Sequence, residues 1–452
     1  MGTRHLRVPE ADWKGILEEA VERLRDILRM DTTNPPGNEA IVIDYLGTVL
    51  HKEKIPFKTF EAAPGRANMV ARLKGNGAKQ PLLLNAHVDV VGVEKEQWSH
   101  DPFGAEVAQG CIWGRGALDM KHMVVMAMMC LVLAKRYKLP LKRDLIFAAV
   151  ADEETGGLYG SQWLVDNHPE SVRSEYAFGE IGGFSRTVGG KRFYPVQIAE
   201  KGACWLKITA RGEPGHGSLP NWEGAVAKIG KAAALLGSSR LPFHKTPEAE
   251  AFVKTLATYQ PLPKKRVFLQ VLNPRLSNFV LDYILPDKAM ARSLYAILHN
   301  TANPTVIRGG EKINVLPSQA TLEVDGRTLP GQTPEQFVKE VRAVIGDDYE
   351  IEVTKQMPPV STSPQDPILG YIQDALRRHD PGAIVVPFMI PGLTDAKHYS
   401  RLGIRCFGFS PVRLPEDFNF IELMHGHDER IPVEGFHFGM KVLFDLVADL
   451  CT

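Results

Sequence analysis

Short apolar runs alternate with helical segments through the first 170 residues of this chain, and this alternation limits the folds open to it. The apolar runs lie at 68–73, 81–88 and 144–151, and helical patterns lie near 38–52, 120–137 and 158–168. Because these runs are apolar on both faces, they are typical of buried parallel strands. The pattern predicts an α/β fold with a mostly parallel sheet that helices cover on both sides.

A second pattern interrupts the first near residue 200. A strand at 205–212 and a helix at 223–237 are followed, after a stretch with many prolines, by two strands within 312–330, a helix at 334–346 and a strand at 348–355. This β-α-β-β-α-β order, with an insertion, is typical of a ferredoxin-like α+β domain. The α/β pattern returns at about 357. We therefore expect a domain at 202–356 inserted into one made of 1–201 and 357–452, while 238–305 shows no pattern that assigns it a role.

The composition argues against several classes of partner. Lysine and arginine balance aspartate and glutamate at 53 each, so no net charge draws the chain to nucleic acid or to an anionic membrane. Five scattered cysteines without a CxxC pair fit a reducing compartment better than a disulfide framework. The segment MGTRHLRVPEADW lacks the apolar core of a secretory signal, and no apolar run reaches the roughly 18 to 20 residues of a membrane span. We expect a soluble, cytoplasmic protein.

His87 and Asp89 lie at the end of the run LLLNAHVD. Period-two alternation places both on one face at the C-terminal end of a strand, which is where α/β sheets bind ligands. A carboxylate can hold the second ring nitrogen of a metal-bound histidine, so Asp89 could orient His87. A strand-end histidine beside a turn aspartate gives the same pattern without a metal.

Asp119 follows the turn Gly114-Arg115-Gly116 and precedes a methionine-rich helix. Aspartate is a favoured N-cap, so it could simply begin that helix. It could equally bridge two ions, because glycines let the backbone pack close to a cation. The sequence leaves both interpretations open, and the methionines that follow are expected in the core.

Asp152, Glu153 and Glu154 directly follow the apolar run at 144–151. Three acids at the mouth of a buried strand repel one another and lose hydration unless a cation or protons compensate. Adjacent glutamates point in different directions, so one can bind a metal while the other acts as a general base toward water. The alternative is a solvated acidic loop.

Glu180 and His425 complete the candidate set. Glu180 ends the run YAFGE and His425 lies in LMHGHDERIP, and alone each could be an ordinary strand-end acid or loop histidine. With His87, Asp119 and Glu154 they make two imidazoles and three carboxylates, enough for two ions that share Asp119 and leave room for water. Such nitrogen and oxygen ligands are typical of catalytic zinc, which cobalt or manganese could replace.

Several motifs then occur in a familiar order: TTNPPG, HVD, GRGALDMK, DEETGG and HGHDE. With them the chain resembles the co-catalytic zinc exopeptidases, which include aminoacylases, carboxypeptidases of the G and S types, acetylornithine deacetylase and succinyl-diaminopimelate desuccinylase. The resemblance runs nearly end to end, apart from 238–305. It implies that Asp119 bridges two zinc ions and precedes a cis peptide, and that Glu153 is the general base. The remaining implied ligands are His87, Glu154, Glu180 and His425.

The resemblance also implies residues that bind the substrate and complete the site. Gly215-His216-Gly217 is similar to the motif whose histidine reaches the partner's active site in a homodimer, where it would stabilise an oxyanion. The resemblance thus implies that the inserted domain at 202–356 is a lid and dimerisation domain. Asn314 and Arg327 match substrate-holding positions, and a guanidinium suits a terminal carboxylate. A substrate-carboxylate loop is implied at Gly392, Thr394 and Asp395. Lys397 stands where many relatives have arginine, which keeps the charge and loses the planar fork.

These assignments imply hydrolysis of an amide bond next to a free carboxylate, in an N-acyl amino acid or at the C-terminal residue of a small peptide. A zinc-activated water would attack the carbonyl with Glu153 as its base. A biosynthetic deacylase of acetylornithine or succinyl-diaminopimelate is the alternative within this class of enzyme. A non-catalytic binding protein of the same fold is the alternative outside it, and would be expected to lack a ligand or the base.

Overall fold

The computed structural model describes residues 8–452 and contains every strand expected from the apolar runs. The strands are β1 (Phe57–Ala63), β2 (Arg66–Leu73), β3 (Leu82–His87), β4 (Val107–Ala108), β5 (Cys111–Trp113), β6 (Leu145–Val150), β7 (Tyr176–Gly179), β8 (Arg186–Val188), β9 (Lys191–Glu200), β10 (Gly202–Arg211), β11 (Gly215–His216), β12 (Thr301–Gly309), β13 (Val315–Leu316), β14 (Gln319–Thr328), β15 (Tyr349–Met357), β16 (Val360–Ser361), β17 (Ile384–Ile390), β18 (Arg405–Gly408) and β19 (Arg430–Pro432).

The helices follow the same order of elements. They are α1 (Glu10–Leu28), α2 (Ala40–Lys52), α3 (Lys121–Arg136), α4 (Ser161–Asn167), α5 (Pro169–Val172), α6 (Ala225–Ser238), α7 (Pro247–Thr258), α8 (Lys264–Leu269), α9 (Ser277–Phe279), α10 (Lys288–Leu298), α11 (Pro334–Ile345), α12 (Ile368–His379), α13 (Ala396–Tyr399), α14 (Phe420–Leu423) and α15 (Val433–Cys451). Within residues 8–452, each helix is too short or too polar to cross a lipid bilayer.

The chain divides into two compact units. The first comprises Met1–Gln197, Gln365–Pro387 and Thr394–Thr452, and the second comprises Ile198–Pro364 and Phe388–Leu393. Residues 1–7, which make up part of the segment considered above for a secretory signal, lie outside the described residues. The predicted domain boundaries, and the role of the inserted domain as a lid and dimerisation domain, stay predictions.

A mixed sheet in the order β1-β2-β6-β3-β7-β18-β9 forms the centre of the first unit. The central strands β6, β3, β7 and β18 run parallel, and the outer strands pair antiparallel. Both faces of β3 and β6 are buried. Side chains of α4 and α13 pack on one face, and α3 also packs on these strands. The predicted α/β fold with a mostly parallel central sheet is confirmed, and the methionines of α3 lie in the core as expected.

The second unit contains an antiparallel sheet in the order β12-β14-β10-β15, on which α6 and α11 pack. The chain order β10-α6-β12-β14-α11-β15 is that of a ferredoxin-like domain. Thr333 begins α11 with a capping box to Gln336, which explains why the helix starts there. Most of the stretch 238–305, which the sequence pattern did not assign, forms α7 to α10. The buried side chains of these helices pack with Ala199, Leu329 and Met389 in one apolar cluster.

Candidate metal centre

Three of the candidate residues come together because they follow neighbouring parallel strands. His87 ends β3, Glu154 lies in the helical turn directly after β6, and Glu180 follows β7. Parallel strands place their C-terminal ends at one edge of a sheet, so these side chains meet there. Asp119, just before α3, and His425, in the loop between α14 and β19, reach the same place from outside the sheet.

His87 is fully buried and its two ring nitrogens face different partners. Nε2 lies 3.0 Å from Asp119 Oδ1 and 3.6 Å from Glu180 Oε2. Nδ1 lies 3.0 Å from the backbone oxygen of Asp89 and 3.4 Å from its carboxylate. Asp89 therefore contacts His87 as expected, but the closer contact is through its main chain.

His425 makes the matching contacts on the other side of Asp119. Its Nε2 lies 3.0 Å from Asp119 Oδ2 and 3.1 Å from Glu154 Oε2. The two carboxylate oxygens of Asp119 thus face one histidine each. The candidate residues form two triads, His87–Asp119–Glu180 and His425–Asp119–Glu154, that share Asp119. This residue also precedes a cis peptide bond to Met120, as the resemblance implied.

The residues present fit a divalent cation. Glu154 Oε1 is buried and lacks a hydrogen-bond partner within residues 8–452, a condition that a cation would relieve. Burial raises the pKa of Glu180 to about 8 and raises the pKa of Glu154 as well, so gathering ionised carboxylates here needs a compensating positive charge. Imidazole nitrogens and carboxylate oxygens are the donors of catalytic zinc sites.

The two imidazoles and these carboxylates shift one another's pKa. Hydrogen bonds to Asp119 and Glu154 raise the pKa of His425 to about 10. Burial works against a charge on His87, yet its contacts with Asp119, Asp89 and Glu180 raise its pKa well above the usual value. Burial likewise works against ionisation of Asp119, but the same two histidines hold its pKa below its usual range. Each nitrogen–carboxylate contact is one that a shared cation could replace.

Glu153 lies beside these triads with its side chain buried. Its potential ligand atom groups with those of His87 and Glu180 within 4.8 Å, and its Oε1 lies 3.5 Å from Lys397 Nζ. Burial and the nearby Glu180 raise its pKa well above the usual value. A raised pKa makes the ionised carboxylate a stronger proton acceptor, which suits Glu153 to act as a general base.

Asp89 also holds the loop that carries both glutamates. Its Oδ1 and Oδ2 accept hydrogen bonds from the backbone N–H groups of Glu153 and Glu154, at 3.1 and 3.2 Å. Asn34 donates to Asp89 Oδ2 at 2.9 Å and to Asp152 Oδ1 at 3.1 Å. Asn34 lies in the motif TTNPPG, but nothing local to that motif indicates where its amide points, so its role here could not be predicted from the sequence.

Thr394 and Asp395, in the loop that the resemblance implied for the substrate carboxylate, line one cavity with Glu180. Thr394 is buried and its hydroxyl accepts a hydrogen bond from the Ala396 N–H, while Gly392 is partly exposed. The carboxylate of Asp395 points inward, where it accepts hydrogen bonds from Asn85 and Ser161. Asp395 is therefore a buried support of its loop in this structure, whereas Gly392 and Thr394 stay candidates for substrate contact.

In the second unit, His216 lies on β11 and Asn314 directly precedes β13, and these two strands pair as a small exposed antiparallel ribbon. Gly215–His216 pairs with Val315–Leu316, and the Gly217 N–H donates to the Asn314 backbone oxygen at 2.9 Å. Arg327 lies on β14, where its Nε and Nη2 donate to both carboxylate oxygens of Asp325. The structure therefore brings the segments of His216 and Asn314 together. Two guanidinium nitrogens of Arg327 are occupied by the ion pair with Asp325.

The model of peptidase family M20/M25/M40 matches residues 83–449, a span that contains every candidate metal ligand. The chain belongs to this family. Over 387 residues, this M20 protein is 30% identical to the N-fatty-acyl-amino acid synthase/hydrolase PM20D1 of Xenopus tropicalis, covering 82% of the chain and 73% of the relative. Over 443 residues, it is 27% identical to aminoacylase-1 of Sus scrofa, covering 96% and 95%.

Solved structures agree with this assignment at the level of the fold. The M20 family metallo-carboxypeptidase Sso-CP2 from Sulfolobus solfataricus superposes with a TM-score of 0.69 at 17% identity, covering 95% of this chain and 98% of that one. The predicted resemblance is confirmed, and the M20 protein is a hydrolytic enzyme of the amide-cleaving metallopeptidase and aminoacylase type.

Proposed function

We propose that this M20 enzyme hydrolyses the amide bond of N-acyl amino acids, and of small peptides at their C-terminal residue, next to the free carboxylate. One observation carries the proposal: Asp119 presents one oxygen to each of two histidine–carboxylate pairs, and the buried Glu153 lies beside them. His87, Glu180, Asp119, Glu154 and His425 would hold two zinc ions. When bound, zinc supplies a Lewis acid that polarises a carbonyl and lowers the pKa of water.

Glu153 moves the proton in this reaction. Its carboxylate takes a proton from the attacking water and delivers it to the nitrogen of the leaving amine, as a general base and then a general acid. Burial and Glu180 raise the affinity of Glu153 for that proton, whereas Lys397, whose Nζ lies 3.5 Å from Glu153 Oε1, acts in the opposite direction. Asp89 keeps Glu153 in place through the backbone N–H of that residue.

His216 is suited to donate a hydrogen bond to the oxyanion. Its Nδ1 lies 2.7 Å from Ser218 Oγ and accepts a hydrogen bond from the Ser218 N–H at 3.2 Å, which leaves Nε2 as the nitrogen that can donate to a substrate. A hydrogen-bond donor placed against developing negative charge stabilises the transition state more than the ground state. The ring belongs to an exposed two-stranded ribbon, and we propose that it serves the active site of a partner subunit.

The homodimer that this requires is supported by exposed apolar side chains that lie close in sequence to the two strands of this ribbon. Leu219, Trp222 and Ile313 are 68%, 84% and 105% exposed. Large apolar side chains grouped in this way mark protein-interaction surfaces.

A cytoplasmic location is supported by the cysteines, none of which forms a disulfide within the described residues.

The substrate class rests on recognition of a carboxylate. Arg327 keeps Nη1 outside its pair with Asp325, and Gly392 and Thr394 would complete the binding of the carboxylate. The name of the Xenopus relative specifies N-fatty-acyl amino acids, and the Sus scrofa relative is an aminoacylase. We therefore place N-acyl amino acids first among the substrates.

The test compares matched substrates on the zinc-loaded enzyme. N-acyl amino acids of short and long acyl chains, dipeptides, acetylornithine and succinyl-diaminopimelate are assayed together with the C-terminal amides of the best substrates. We expect an N-acyl amino acid to be cleaved and its C-terminal amide to be a far poorer substrate. Equal cleavage of acid and amide would contradict carboxylate recognition, and preference for acetylornithine or succinyl-diaminopimelate would favour the biosynthetic alternative.

The role of Glu153 is tested separately. Glu153→Gln removes the base and keeps the shape, so kcat should fall about 10²- to 10⁴-fold while zinc content stays unchanged. Glu106→Gln, at a more exposed glutamate, serves as the control and should retain wild-type turnover. Near wild-type turnover of Glu153→Gln would rule out Glu153 as the base.

A further inference from the structure

The carboxylate of Glu429 is fully buried and accepts four hydrogen bonds from the turn that ends in Asp119. Its Oε1 accepts from the backbone N–H groups of Leu118, at 2.6 Å, and of Asp119, at 3.1 Å. Its Oε2 accepts from the Gly116 N–H at 2.9 Å and from Arg115 Nη1 at 2.7 Å. One side chain thus fixes the backbone at and immediately before the shared carboxylate.

Arg115 extends the same arrangement to the loop that carries His425. Its Nη2 donates to the backbone oxygens of Gly426, at 2.9 Å, and of His425, at 3.3 Å. Glu429 belongs to that loop, and its backbone oxygen accepts from the Gly114 N–H at 3.0 Å. The ion pair therefore joins two loops, each of which supplies one side chain to the His425–Asp119 contact.

We infer that Glu429 and Arg115 are positioning residues that set the distance and orientation between Asp119 and His425 for metal binding, an inference that rests on the metal ligands of the proposed function. A buried ion pair that only stabilised the fold could form anywhere in the core. This one takes its hydrogen bonds from the main chain of a ligand, Asp119, and gives them to the main chain of another, His425. Outer partners of this kind control how well ligands are presented to a cation.

Glu429→Gln tests the inference with little change of volume. An amide oxygen can still accept two hydrogen bonds, but the amide nitrogen is a donor and would face N–H groups that need an acceptor. We expect metal-free Glu429→Gln to bind zinc about 10- to 100-fold more weakly than the metal-free wild type. We expect its cobalt form to show an altered visible spectrum, because the geometry at one ion changes.

Asp380→Asn is the matched control. Asp380 is also a buried carboxylate, and it accepts hydrogen bonds from Arg192 at 2.7 Å and from Tyr194 at 2.8 Å, neither of which is a ligand. Its substitution should lower the thermal stability of the metal-free protein yet leave zinc affinity unchanged. Arg115→Lys supplies a second variant that keeps the charge but cannot donate to Glu429 and the His425 loop together, and it should also weaken zinc binding.

Zinc and cobalt binding are measured on metal-free proteins by calorimetry and by competition with a coloured chelator, alongside thermal unfolding without metal. If Glu429→Gln or Arg115→Lys folds and binds zinc as the wild type does, the inference is wrong and the pair is structural. If the wild type binds no zinc, the metal assignment of the proposed function fails instead. If it binds zinc but cleaves no N-acyl amino acid, only the proposed substrate fails.

Discussion

The proposal that His216 acts in the partner's active site makes a quantitative prediction for hybrid dimers. Glu153 lies in the first unit and His216 in the second, so each substitution leaves the other unit's sequence unchanged. A hybrid of one Glu153→Gln chain and one His216→Ala chain would contain one site with neither group and one site with both. The purified hybrid should therefore have about half of the wild-type activity, and a random equimolar mixture about a quarter.

The two mutant homodimers should have very low activity, so the activity of the hybrid can be measured clearly above them. The Glu153→Gln homodimer should lose about 10²- to 10⁴-fold in kcat, and the His216→Ala homodimer about 10²- to 10³-fold. If His216 acted within its own chain, both sites of the hybrid would be defective. Its activity would then stay near 1% of wild type or below.

The assay uses co-expressed chains with two different tags, tandem affinity purification and native mass spectrometry to establish the 1:1 composition. A reciprocal hybrid pairs a wild-type chain with a chain that carries both substitutions. Action in the partner's site leaves this second hybrid nearly inactive, whereas action within one chain leaves it half active. Recovery in the second hybrid and not in the first would refute the proposed role of His216.

Three further predictions concern stability and assembly. Trp222→Glu should shift the enzyme toward monomers in sedimentation velocity, since it places a charge on the exposed apolar patch, while Tyr371→Glu, on α12, should not. Burial lowers the pKa of His299 to about 4 from its usual 6.5. Between these two pH values the unfolded chain therefore binds a proton at His299, whereas the folded chain keeps this side chain neutral. The stability that this contributes is present above pH 6.5 and is lost as the pH falls toward 4, by up to about 3 kcal/mol, and urea unfolding of His299→Gln should show a smaller acid loss. Phe337→Ala empties a fully buried site between α11 and the sheet and should cost the second unit about 3 to 5 kcal/mol in chemical denaturation.

The sequence could predict the part of the site that lies at strand ends. His87, Glu153, Glu154 and Glu180 directly follow apolar runs, and parallel pairing then brings the ends of those runs together. The convergence of Asp119 and His425 on this site could not be predicted in that way, because they lie in loops whose positions depend on long-range contacts. The glycine-rich motif before Asp119 indicated either a bridging carboxylate or an N-cap. His425 and Glu180 depended more on the resemblance, and whether these residues bind metal stays a prediction.

In the second unit, the spacing of apolar residues did not predict the helices within 238–305. Residues 238–305 form short helices that start at caps such as Thr246 and Asp287. These signals are present in the sequence, but each helix is brief, and a π-helical turn at Val280–Ile284 shifts the spacing of apolar residues. Contacts such as that of Asn34 with Asp89 are beyond any local pattern, because 55 residues separate the partners.

The unequal exposure of the two histidines should give the two proposed cation positions different rates of exchange. His87 is enclosed, whereas the side chain of His425 is 49% exposed. A chelator can approach His425 directly, so an ion held there should leave first. An ion beside the enclosed His87 should leave more slowly. Timed chelation followed by refilling would then yield a mixed-metal enzyme with a known order, in which a spectroscopic ion reports on one position alone.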